Sequence, residues 1–76
     1  MKRPVNNRKK PILSPRELEV LRLRTYKSPT EIAQQMKISV NTVNAHLKRI
    51  YRKLGVDDGM AAVAKAFRLG LLRVDE

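Results

Sequence analysis

The chain has 76 residues and no cysteine, and its 17 Lys and Arg against 7 Asp and Glu give a net charge of +10. So short a chain builds at most one thin-cored domain, without disulfides or thiolate metal sites, and its one histidine, His46, cannot assemble a zinc site by itself. The charge seeks a polyanion, either nucleic acid or an anionic membrane face, and with no apolar run near the roughly 20 residues of a membrane span and no secretory signal, a soluble cytoplasmic protein associated with the nucleoid is expected.

Residues 1–11 (MKRPVNNRKKP) hold five positive charges and no acid. They are expected to form a flexible basic arm, either a solubilising tail or a segment that follows the minor groove or the backbone of DNA. Residues 12–76 read as an all-α domain of four helices. Ser14-Pro15-Arg16-Glu17 opens the first: Ser14 caps, Pro15 suits the first helical position, and Glu17 completes a capping box. Leu13 and Leu18 are spaced for a hydrophobic staple, and the helix should run to about residue 25. Ser28-Pro29-Thr30-Glu31 repeats the box and opens a second, short helix with Ile32, Ala33 and Met36 facing inward. Ser39 is the next cap, with Ile38 and Val43 as a second staple. The third helix starts near Val40 and carries Val43, Leu47, Ile50 and Leu54 as one inward stripe until Gly55 ends it. The fourth starts after Asp57 or Asp58 and ends near Gly70. Between Met60 and Leu69 only Lys65 and Arg68 are polar, more apolar surface than one stripe needs.

Two short helices, a tight turn near residues 37–39 and a longer helix make a helix-turn-helix layout. The outward face of the third helix carries Asn41, Asn44, Ala45, Lys48 and Arg52, opposite Val43, Leu47 and Ile50. Asparagine can pair with adenine, lysine reads guanine, and an alanine methyl packs on a thymine methyl. Arg49, Arg52 and Lys53 are placed for phosphates, which position a domain without reading sequence. No acid occurs between Ile32 and Val56, while Lys37, Lys48, Arg49, Arg52 and Lys53 do. A solvated basic face is the bland alternative. The coincidence of an acid-free face, two asparagines, a small residue and a capped turn favours double-stranded DNA.

The run Leu13-Ser14-Pro15-Arg16-Glu17-Leu18-Glu19-Val20-Leu21 resembles the opening of the LuxR-type (GerE-like) helix-turn-helix domain. So do Glu31-Ile32-Ala33, Ile38-Ser39 with Thr42-Val43 and His46, and Lys53-Leu54-Gly55-Val56 with Ala62-Val63. The resemblance covers residues 12–72. It implies a four-helix LuxR/GerE-like helix-turn-helix bundle, a bacterial or phage transcription regulator, and no cofactor. It further implies that the third helix enters the major groove and that the fourth pairs two domains on DNA. On this basis Asn41, Asn44, Ala45 and Lys48 are assigned to bases. Ser28, Thr30, Thr42, Arg49, Arg52 and Lys53 are assigned to the DNA backbone, and Met60, Val63, Ala64 and Phe67 to a homodimer interface, although period alone would let Met60, Val63 and Phe67 serve the core, the interface or both. Three positions depart from the family pattern: Asn44 and Gly59 stand where lysine and arginine are usual, and Tyr26-Lys27 replaces a glycine-containing turn. Region 4 of sigma factors is a second resemblance, but Thr42-Val43 with His46 and the fourth helix favour the LuxR type. Most relatives carry a receiver or ligand-binding domain as well, so the chain is expected to be either a stand-alone regulator or an excised fragment, and the initial Met and the basic arm favour the first.

No nucleophile, base and orienting group converge, so no enzyme is expected. Glu17 and Glu31 are fully explained as capping residues, and His46, on the border of the inward face, as a partly buried structural residue. Two further readings stand beside the regulator. The chain could be an adaptor docking on another transcription factor or RNA polymerase through its fourth helix, or a nucleoid binder that makes no choice of sequence.

Overall fold

Three serines and an aspartate start the four helices of the computed structural model, which describes residues 12–73. The helices are α1 (Pro15–Arg24), α2 (Pro29–Met36), α3 (Val40–Leu54) and α4 (Gly59–Arg68). The described residues contain no strand. The basic arm of residues 1–11 lies outside them.

Both capping boxes are closed. Glu17 N donates to Ser14 Oγ at 3.2 Å, and Ser14 N donates to Glu17 Oε1 at 2.9 Å. Ser28 and Glu31 repeat the exchange at 3.2 and 2.8 Å. Two otherwise free N–H groups of each helix start are thereby satisfied. Ser39 accepts from Thr42 N at 3.0 Å, and Asp58, rather than Asp57, accepts from Ala61 N at 2.9 Å.

The ends are fixed by left-handed residues. Lys37 (φ 60°) and Gly55 (φ 71°) close α2 and α3. The turn then folds back, with Ile38 N donating to Ala33 O at 3.0 Å and Val56 N to Tyr51 O at 2.9 Å. Both ends follow the sequence reading closely. α1 stops one residue early at Arg24, and α4 ends at Arg68, with Leu69 as its cap.

The core is one cluster. Val20, Leu21, Ile32, Val43 and Ile50 are wholly inaccessible to solvent. Leu13, Leu47 and Leu54 join them. α3 is the axis, since its packing against each of the other three helices is the most extensive in the bundle. Its inward stripe is therefore consumed by the core and its opposite face is left to water. α4 contributes only Ala62 and Ala66 as fully buried residues, with Leu72 beyond its end. Such small side chains let α4 lie close to α3.

One expectation needs correction. Glu17 does more than cap: its Oε1 also accepts from Lys53 Nζ at 2.8 Å, tying α1 to the last turn of α3. Capping alone therefore does not explain it. Nothing local reveals a pair 36 positions apart in the chain.

Candidate nucleic-acid interface

The tight turn through Lys37 sets α3 against α2, and Ser39 starts α3 with Asn41 and Asn44 in its first turns. Asn41, Asn44, Ala45 and Lys48 are all exposed and line one open cleft of about 650 Å³. Arg24 of α1, Pro29 of α2, and Leu47 and Tyr51 of α3 complete its walls. The four residues assigned to bases are thus neighbours on one concave surface that also meets the start of α2.

The candidates for backbone contact fall into three groups. Arg49 and Arg52 are exposed along α3, and among the described residues neither has a carboxylate within 4.0 Å. Ser28, Thr30 and Thr42 stand at the first turns of α2 and α3, where unpaired N–H groups favour an anion. Two of their hydroxyls already have work: Ser28 Oγ accepts from Glu31 N, and Thr42 Oγ1 lies 2.9 Å from Ser39 Oγ. Lys53 stands apart, because its Nζ is held by Glu17.

The residues assigned to a second copy lie along α4. Met60 is 83% exposed and Phe67 37%. Ala64 is exposed and Val63 half-buried. They leave an apolar strip on α4 that the rest of the domain does not fully cover.

Arg24 is the residue that sequence reasoning missed. It follows Val20 by four positions and Leu21 by three, and both are completely buried. A cation at helical spacing from two core residues was the available signal, since that stripe ordinarily stays apolar. His46 is half-buried with Nδ1 shielded and without a hydrogen-bond partner, and it lies outside the cleft.

The described residues contain no group of three or more His, Cys, Asp or Glu able to hold a metal ion, and no helix long and apolar enough to cross a membrane.

A capped short helix, a tight left-handed turn and a longer helix with a polar, basic outer face define the class: a helix-turn-helix domain. The chain belongs to the luxR family of bacterial regulatory proteins, whose sequence pattern matches residues 11–66. Over 63 residues it is 48% identical to the "Probable transcriptional regulatory protein NarL" of Mycobacterium tuberculosis, covering 82% of this chain and 29% of that protein. It is 39% identical over 66 residues to the "Spore germination protein GerE" of Bacillus subtilis, covering 86% of this chain and 89% of that protein. Among solved structures, the transcription factor GerE superposes with a TM-score of 0.78 at 36% identity, covering 87% of this chain and all of the other. The fold is therefore the all-α, four-helix LuxR/GerE-like one, and its family is one of transcription regulators rather than enzymes. The chain spans less than a third of the NarL relative and most of GerE.

Proposed function

We propose that this domain reads a specific duplex DNA sequence, with α3 in the major groove. The observation that carries the proposal is the cleft that gathers Asn41, Asn44, Ala45 and Lys48 on the side of α3 facing away from its buried stripe. The two asparagines and Lys48 supply the donors and acceptors that base edges require, and Ala45 keeps the approach close. Arg49 and Arg52, with the first turns of α2 and α3, take the phosphates on either side. Lys53 is a weaker phosphate ligand than these, because its charge is already spent on Glu17. The relatives named as transcription regulators and the acid-free stretch from Ile32 to Val56 support the same reading. The uncovered strip on α4 supports pairing of two copies through Met60, Val63, Ala64 and Phe67.

A pair of substitutions separates base reading from phosphate anchoring. Lys48→Ala is expected to cost about 1–3 kcal/mol on the preferred site and to relax base preference there. Arg52→Ala should weaken preferred and scrambled duplex about equally. Equal losses for both variants on both duplexes would remove Lys48 from the reading set. The apolar strip also favours one second reading, an adaptor docking on a different protein. A chain that remains monomeric at high concentration and on its preferred DNA would support that reading over the homodimer.

A further inference from the structure

Arg24 closes α1, yet its side chain serves two neighbours. On one side it lines the cleft shared by Asn41, Asn44 and Lys48. On the other its guanidinium lies against the start of α4. A Cβ placed on Gly59 would stand 3.4 Å from Arg24 Nε, 3.5 Å from Nη2 and 3.1 Å from Tyr51 Oη. The Arg24 distances are ordinary van der Waals contact, so the guanidinium packs closely beside the first residue of α4.

The hydrogen bonds of Arg24 are incomplete. A guanidinium offers five N–H donors. Nη1 donates to Lys27 O at 3.3 Å. Nε is shielded from solvent and has no acceptor. Among the described residues no carboxylate comes within 4.0 Å of it. A fixed, planar fork of donors beside a cleft without acids, with Lys48 also in its wall, is built for an oxyanion.

We propose that Arg24 grips a phosphate oxygen of the DNA strand that runs between the start of α2 and α3. The proposal rests on the DNA reading above. Arg24 anchors without reading bases: it lines the cleft from α1, whereas Asn41, Asn44 and Lys48 line it from α3. The anchor draws α1 into the interface, so the strand contacts three helices.

The test uses the whole chain, its preferred duplex and a scrambled duplex, with affinity measured over a range of salt. Arg24→Gln should lose about tenfold in affinity on both duplexes, and the log–log salt slope should shrink by about 0.9, the share of one neutralised phosphate. Arg24→Lys should restore the slope, since it keeps the charge, while recovering affinity only in part. Both variants should melt within a few degrees of the parent chain. An unchanged slope together with a lowered melting midpoint would make Arg24 a packing residue and overturn the proposal. A loss confined to the preferred duplex would also overturn it, by making Arg24 a base reader. The Nε–Hε resonance of Arg24 should shift on adding duplex but not on adding inorganic phosphate at equal phosphate concentration. A shift with inorganic phosphate alone would show a free-anion site instead. If the parent chain binds neither duplex, the DNA reading fails and this anchor fails with it. If the parent binds and only the Arg24 results disagree, the anchor alone is lost.

Discussion

Lys37 is the one non-glycine residue with positive φ among those described, at 60°. It closes α2 and sets the direction in which α3 leaves, so the helix-turn-helix geometry depends on it. Left-handed backbone costs an L-residue roughly 1–2 kcal/mol, partly offset by the extra freedom glycine has when unfolded. Lys37→Gly should therefore stabilise the domain by about 0.5–1 kcal/mol, a rise of roughly 2–8 °C in melting midpoint. Calorimetry checks this, and a lower midpoint would mean that the lysine side chain contributes more than its backbone costs. Single-residue roles were legible where local chemistry determines them. Ser14, Ser28 and Ser39 were each read as caps from their own neighbourhoods, and each accepts the N–H expected of it. Arg24 was not legible as part of the cleft, because the other walls come from α2 and α3 and spacing reports only a residue's own helix.

At the scale of elements, α1 and α3 are joined by the ion pair of Glu17 and Lys53. The Glu17 side chain is 3% exposed and that of Lys53 39%. Burial pushes the Glu17 carboxyl upward. The hydrogen bond from Lys53, the Ser14 N–H and the Lys53 charge together outweigh burial and leave it below the ordinary glutamate value. The folded carboxyl thus holds its proton less readily than the unfolded one. The stability it contributes is complete above the ordinary glutamate range and is lost as pH falls through that range to the lowered folded value. Lys53→Ala removes two of the lowering causes and leaves burial in place. It should cost about 1–3 kcal/mol near neutral pH, and acid unfolding should begin at a higher pH. An acid transition that does not move would show that the Ser14 N–H alone keeps the carboxylate charged. The four helices and most of their ends were readable because caps, prolines and a stripe spaced four, three and four residues are local signals. The crossing of α1 over α3 was not, since no periodicity encodes which helices meet or that Glu17 finds Lys53.

For the whole molecule the decisive surfaces are the cleft on α3 and the uncovered strip on α4. The excess of apolar residues between Met60 and Leu69 was visible in the sequence. Which of them the core would take was not, because in a bundle this thin the same spacing serves core and interface. The core takes Ala62 and Ala66 and leaves Met60 outermost. Met60→Glu should leave the monomer's stability within about 0.5 kcal/mol of the parent, as for an exposed position, while abolishing paired binding to two half-sites in sedimentation experiments on DNA. Paired binding that persists would place the interface elsewhere. The most direct measurement of the central claim is selection of binding sites from a random duplex pool at roughly physiological salt, where charge-driven binding without sequence choice is suppressed. The account predicts an enriched motif made of two inverted half-sites about one helical turn apart, and a pool that yields no enriched motif would contradict it.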